Sequence, residues 1–257
     1  MFFSVLGSGS KGNCTFVASG STAILIDAGF SGKEIVRRLE MIGRSLDELH
    51  GIIVTHEHGD HISGVGVLSR RCGLPVYANE GTHRGAADRV KKLHSCREFG
   101  TGEGFVIGDL EIHPFRISHD TADPVGFVVS DGRHSLACCT DTGRVSKLIK
   151  HHVHTCDALI LEANHDPQML MDGPYPMPLK QRVRSSQGHL ANGDAARFLA
   201  GLTDSSLRRV ILAHLSETNN LPELALARVW EELKNLQPGF ELFLAQQDMP
   251  TKLMLLS

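Results

Sequence analysis

No stretch of this chain is long and apolar enough to span a bilayer, and its opening residues lack a charged region followed by a long apolar run. Neither a membrane partner nor a signal peptide is therefore expected. Charge of one sign is also missing: the formal net is −3. That argues against a generically basic nucleic-acid coat and leaves any nucleic-acid contact to local patches. The six cysteines include no Cys-x-x-Cys pair, and Cys138 and Cys139 are adjacent. No disulfide framework follows from this usage; reduced thiols and a cytoplasmic location do. Linkers, low-complexity tracts and internal repeats are absent as well. A single domain over residues 1–257 is expected, long enough for a sizeable core.

What the chain does have is Thr55-His56-Glu57-His58-Gly59-Asp60-His61, directly after the apolar run Gly51-Ile52-Ile53-Val54. Three imidazoles and two acids at the end of a buried strand suit a divalent transition metal, and without one they would be costly to bury. A chain turning from strand to helix can aim His56 and His58 at one point and Asp60 and His61 at an adjacent one. Ile62 to Arg71 is helix-compatible despite Gly64 and Gly66. Further candidate ligands follow further strand-like runs: His119 after Leu110–Ile117, Asp141 after Ser135–Cys139 and His214 after Arg209–Ala213. Asp27 follows the early run Ala23–Ile26 in the same way.

Strand-like runs also lie at Phe2–Leu6, Pro75–Tyr77, Val125–Val129, Ala158–Leu161 and Leu253–Leu256. Helical spacing joins Ile35, Leu39 and Ile42, and again Val145, Leu148 and Ile149. Ala195, Leu199 and Leu202 follow Asn192, read as an N-cap. Pro222 opens a last helix through Leu233, with Leu226 and Trp230 as expected core anchors. Strands mixed with surface helices give a layered α/β fold class.

The His-x-His-x-Asp-His pattern resembles that of the metallo-β-lactamase superfamily. The resemblance implies an αββα sandwich with a dinuclear metal site at one edge of the sheets. His56, His58 and His119 would hold one metal, Asp60, His61 and His214 the other, and Asp141 would bridge them. Asp27 would orient the metal loop from behind. Zinc β-lactam hydrolases of the superfamily usually carry Cys where Asp141 stands, and its diiron reductases carry Glu where His58 stands; neither activity is expected here. Glu162, at the end of a strand-like run, and His189, ahead of a helix, resemble the pair by which the phosphodiesterase branch protonates a leaving oxygen, so Asp60, His189 and Glu162 are the expected catalytic residues.

Longer stretches narrow the resemblance: Ser118-His119-Asp120-Thr121-Ala122-Asp123-Pro124-Val125-Gly126-Phe127, Leu161-Glu162-Ala163-Asn164-His165-Asp166 and Ala213-His214-Leu215-Ser216-Glu217-Thr218-Asn219-Asn220 look like the YycJ/WalJ branch. That branch implies a DNA-directed 5′-exonuclease using two divalent ions (Mn, Zn or Fe) and a metal-bridging hydroxide, with DNA favoured over RNA. There is no room between Asp141 and His214 for an inserted RNA-binding domain. The alternatives are a hydrolase of a small phosphodiester or thioester, or a non-catalytic signalling adaptor. Cleavage polarity and homo-oligomer formation stay open.

Two segments are candidates for substrate contact beside Asn164. The Gly/Ser loop Leu6–Asn13 offers Ser8, Ser10, Lys11 and Asn13 to phosphate oxygens, against the plainer reading of a hairpin turn. The segment from Asp166 to Arg184, punctuated by Pro and Gly, is read as a loop over the site. It ends in Lys180, Arg182 and Arg184, against the plainer reading of a solvated charge run. His151, His152 and His154 fall at a helix end, where protonated imidazole favours the dipole. They are not expected to bind metal, and neither are His83, His94, His113, Cys138 or Cys139.

Overall fold

The computed structural model describes residues 1–256. The first half of the chain builds one sheet from β1 (Phe2–Gly7), β2 (Cys14–Ser19), β3 (Thr22–Ile26), β4 (Leu49–Ile53), β5 (Pro75–Ala78) and β6 (Ser95–Glu98). A second sheet holds β7 (Phe105–Ile107), β8 (Leu110–Arg116), β9 (Val125–Ser130), β10 (Ser135–Cys139), β11 (Ala158–Glu162), β12 (Arg209–Ala213) and β13 (Glu241–Leu244). The last strand, β14 (Met254–Leu255), returns to the first sheet and pairs with β1. Each sheet thus has seven strands, in the orders β14-β1-β2-β3-β4-β5-β6 and β13-β12-β11-β10-β9-β8-β7. In both, an antiparallel meander runs into a parallel stretch, β3 to β6 and β10 to β13.

Burial on both faces explains why these strands read as continuous apolar runs rather than alternating ones. Ile24 and Ile26 point into the core between the sheets, where they meet Phe127, Val129, Ile160 and Ile211. Ala23 and Leu25, one register position away, face helices α1 (Gly32–Met41), α3 (Val65–Cys72) and α4 (Glu80–Val90) on the outside. In the second sheet Ala158 and Ile160 face inward, while Leu159 and Leu161 face outward. There they pack under α5 (Lys147–His154), α8 (Asn192–Ala200) and α9 (Pro222–Leu233). The layers are therefore helix, sheet, sheet, helix. Three short helices complete the order: α2 (Gly59–Ile62), α6 (Pro167–Asp172) and α7 (Met177–Arg184).

Several local expectations are corrected. Strands β2, β6, β7 and β13 were not legible as apolar runs. The segment from Asp166 to Arg184 is not a loop but the helices α6 and α7, each entered through a proline at its first turn. Asn192 is the first residue of α8, behind the cap residue Ala191, and its buried amide bonds to Asn220. Trp230 is 49% exposed; α9 buries Ala225, Val229 and Leu233 at intervals of four, and Leu226 is only half-buried. The helix from Ile62 to Arg71 breaks at Ser63-Gly64 into α2 and α3.

The parallel strands place their carboxyl ends at one edge of the sandwich. Three residues just past those ends, Asp27, Asp141 and His214, adopt left-handed backbone at φ 59°, 56° and 54°. Non-glycine residues pay conformational energy for that geometry, which persists where the surroundings over-determine it. The same edge contains glycines that no other residue could replace without a clash, Gly29 among them. Gly29 accepts the backbone of the next loop so closely that a Cβ would overlap the Asp60 carbonyl and crowd the Asn13 amide at 2.6 Å. Gly29→Ala is expected to lower unfolding stability by roughly 2 kcal/mol or more, since well-packed backbone has nowhere to move; a denaturant midpoint equal to wild type would contradict this packing.

Candidate metal centre

Leaving β4, the chain bends at Thr55 and then coils into α2, with His58 as its N-cap and Asp60 and His61 in its single turn. His56, His58 and His119 offer one ligand atom each within 4.8 Å of one another, and so do Asp60, His61 and His214. Asp141 lies between the two groups. Its Oδ2 is 3.3 Å from His61 Nε2, and its Oδ1 is 3.5 Å from His214 Nε2 and 3.8 Å from His119 Nε2. All seven residues that the sequence singled out as ligands are thus brought together, six of them from loops following β4, β10 and β12 and His119 from the loop after β8.

The far side of each ring determines which nitrogen faces the centre. His61 Nδ1 lies 2.8 Å from Asp27 Oδ2. An ionised carboxylate only accepts, so that nitrogen carries the hydrogen and Nε2 presents its lone pair inward. Asp27 also accepts the Thr55 amide and hydroxyl, both at 2.8 Å. Glu162 does the same from the second sheet: its Oε1 receives His214 Nδ1 at 2.8 Å and His189 Nδ1 at 2.7 Å. Its Oε2 receives the amides of Thr142 at 2.8 Å and Leu190 at 3.1 Å. His119 Nδ1 donates to the Gly188 carbonyl at 3.1 Å, and His56 Nδ1 meets the Thr55 hydroxyl at 3.0 Å. Five rings are thus held through Nδ1, which turns Nε2 away from these partners.

The donor set fits divalent cations. Among the described residues the buried atoms His56 Nε2, His214 Nε2 and Asp141 Oδ2 have no hydrogen-bond partner, an arrangement that protein interiors otherwise avoid. His58 Nδ1 and His119 Nε2 face each other at 3.2 Å. Protons alone must otherwise hold these groups. Burial pushes the His214 imidazole down, but Asp141, Asp60 and Glu162 outweigh it and raise it to about 10. Burial opposes the charge of His61 too, yet Asp141, Asp27 and Asp60 lift it well above the ordinary imidazole range. For Glu162, burial favours the neutral acid, and His189 and His214 overcome it to hold the carboxyl at about 2. His56, buried beside His61, is driven well below the ordinary range.

A cleft of about 390 Å³ opens onto this centre. Of the residues expected to touch substrate, Ser10, Asn164 and Arg182 line it. The others do different work. Ser8 is buried and accepts the His214 amide at 2.9 Å, while Asn13 reaches Asp60 Oδ2 at 3.2 Å and His61 Nε2 at 3.1 Å. The Gly/Ser loop therefore braces ligands more than it offers phosphate contacts. Lys11 lies outside the cleft, paired with Glu217 at 2.7 Å. Lys180 is buried, its ammonium held by the Met171 carbonyl at 2.6 Å, and Arg184 turns to Met171 Sδ. Helix formation over 177–184 is the reason: one face must turn inward, and Lys180 is on it. Arg89, Tyr175, Ser216 and Asn219 line the cleft without having been singled out as site residues. The last two lie in the stretch 213–220 and Tyr175 in the segment 166–184, whereas Arg89 lies in no stretch with a legible pattern.

The other histidines and the paired cysteines stand apart. His152 stacks on Phe115 at 5.1 Å, and His83 faces Cys96. Cys138 and Cys139 sit in the inner and outer cores, where burial pushes both thiols up.

Comparison with known proteins accords with this geometry. The family model described as beta-lactamase superfamily domain matches residues 22–215. Exodeoxyribonuclease YycJ of Bacillus anthracis is 38% identical over 98% of this chain and 98% of its own length. Exodeoxyribonuclease WalJ of Streptococcus pneumoniae is 37% identical over 92% of this chain and 90% of its own. The crystal structure of the metallo-beta-lactamase fold protein YhfI from Bacillus subtilis superposes with a TM-score of 0.72 at 18% identity, covering 98% of this chain and 99% of that one. The chain belongs to the beta-lactamase superfamily and has its metallo-β-lactamase fold.

Proposed function

We propose that this protein is a metal-dependent phosphodiesterase that removes nucleotides from the 5′ end of DNA, acting as a single domain in the cytoplasm. The observation that carries the reading is the Glu162–His189 pair standing beside two metal-competent trios. Full-length relatives named as exodeoxyribonucleases support it. His56, His58 and His119 would hold one divalent ion and Asp60, His61 and His214 a second, with Asp141 serving both. Nitrogen and carboxylate donors of this kind suit manganese, zinc or iron. Two such ions, when bound, supply an acidified water and positive charge against the phosphoryl oxygens.

The protein's own residues do the rest. Asp27 and Glu162 hold His61 and His214 in the tautomer that leaves Nε2 unprotonated on the inner side. Glu162 also takes His189 Nδ1, so the His189 Nε2 is the nitrogen available to the cleft, where it delivers a proton to the departing sugar oxygen. Arg182 and Arg89 bring positive charge to the cleft wall and Ser10 a hydroxyl, all suited to backbone phosphates. Asn164 pins the loop after β12 by donating to the His214 carbonyl at 2.9 Å.

Hydrolysis of end-labelled single- and double-stranded DNA and RNA, with manganese, zinc and iron in turn, tests this reading. Metal-dependent release of mononucleotides from the 5′ end of DNA is the expected result; cleavage of no polymer, with bis-p-nitrophenyl phosphate still turned over, would point instead to a small phosphodiester. His189→Ala is expected to lower kcat by about 10²- to 10⁴-fold while metal content stays at the wild-type level. Asp60→Ala is expected to lower both.

Metal uptake is expected to be coupled to proton release. In the metal-free cluster the surrounding carboxylates raise His61 well above the ordinary imidazole value and His214 to about 10, which favours a bound proton that an incoming cation must expel. Affinity should therefore rise with pH from neutrality toward 10. Calorimetric titration of the chelator-stripped protein at pH 7, in buffers of different ionisation enthalpy, should report net proton release. A heat of binding independent of buffer would contradict the protonation assigned to these rings.

A further inference from the structure

One wall of the cleft has a different chemistry from the rest. Beside the imidazoles, carboxylates and guanidinium groups, Tyr175, Leu179 and Val183 line the cleft. They are spaced four apart, Leu179 and Val183 one turn from each other on α7 and Tyr175 just ahead of the cap residue Pro176. The chain has two tyrosines. Tyr77 is spent on a stacked contact with Phe105 at 5.4 Å between ring centres. Tyr175 has no ring partner among the described residues, and its hydroxyl makes no hydrogen bond there, although the ring is only half-buried and borders the cleft.

The wall is firmly held and directly joined to the catalytic side. Lys180 ties α7 back to the Met171 carbonyl at 2.6 Å, and Arg182 is paired with Asp120 across the mouth of the cleft. The carbonyl of Val183 accepts the His189 amide at 2.9 Å, which sets the apolar stripe one hydrogen bond from the proton donor. A phosphodiester cleft has no use for an apolar, aromatic wall unless the substrate brings an apolar face to it. In a nucleic acid that face is the base. The cleft volume, about 390 Å³, suits one unpaired nucleotide, near the lower end of ligand cavities at ~300 Å³.

Building on the phosphodiesterase reading above, we propose that Tyr175, Leu179 and Val183 form a nucleobase subsite, with the ring of Tyr175 stacked on the base of the 5′-terminal nucleotide while its phosphodiester lies at the metal centre. Stacking accepts any base, since every base has a π-face. The subsite therefore grades chain ends by whether their terminal base is present and unpaired, not by sequence, and a base-paired end must fray before it enters.

The test compares two single-stranded oligonucleotides, one ending in a 5′ thymidine and one in a 5′ abasic tetrahydrofuran residue, with wild type, Tyr175→Ala and Tyr175→Phe. Wild type is expected to cleave the thymidine end about five- to hundredfold more efficiently in kcat/KM, the range that loss of one stacked base produces. In Tyr175→Ala that preference collapses toward one because the thymidine rate falls while the abasic rate holds, which also reports an intact fold and metal centre. Tyr175→Phe keeps the preference. An unchanged preference in Tyr175→Ala, or an equal fall on both substrates, overturns the subsite while leaving the phosphodiesterase reading standing. Failure of wild type to cleave either oligonucleotide overturns both.

Discussion

The carboxylate of Asp141 is buried among the ring nitrogens of His61, His119 and His214, and the rest of the edge is organised around that contact. A carboxylate in that position, with His56 and His214 nitrogens left without partners, is expensive in a dry interior. Two features show how the fold meets the cost. Asp27 and Glu162 stand behind the imidazoles and fix their inner nitrogens as lone-pair donors, and the backbone at Asp27, Asp141 and His214 is forced into left-handed geometry to aim them. The arrangement is coherent as a cation site and wasteful as anything else.

The two sheets divide the work. The first provides Asp27 and the whole run from His56 to His61. The second provides His119, Asp141, Glu162, His189 and His214. A hydrogen bond joins the halves: the Ser8 hydroxyl, just past β1, accepts the His214 amide, while Asn13 in the same loop braces Asp60 within the first half. Neither half could form the centre alone, so the inter-sheet core around Ile24, Ile26, Phe127 and Ile160 is a condition of the chemistry as well as of the fold. Metal binding and sheet packing should accordingly stabilise each other.

How much of this was legible in the sequence depended on whether the signal was local. The candidate ligands were, because each follows an apolar run and His56, His58, Asp60 and His61 fall within six residues. The layered α/β class was legible in strands mixed with surface helices, and the αββα arrangement came only with the resemblance. What escaped was mostly tertiary. Lys180 reads as a basic loop residue until α7 forms and turns it inward, and Ser8 and Asn13 read as phosphate contacts until packing buries them against ligands. Trp230 looked like a core anchor by size, whereas the helix phase set by Ala225, Val229 and Leu233 turns it outward. Arg89 reaches the cleft from a segment with no recognisable pattern, and Tyr175 from the stretch 166–184, where only the basic end was read as a contact.

These residues are proposed to form two adjacent cation sites sharing one carboxylate. Anomalous diffraction from crystals of the manganese- or zinc-loaded protein, collected at the metal absorption edge, tests it most directly. Two peaks are predicted, one among His56, His58 and His119 and one among Asp60, His61 and His214, with Asp141 between them. No peak at this edge, or a single ion that leaves one trio without metal at saturating concentration, would contradict the account.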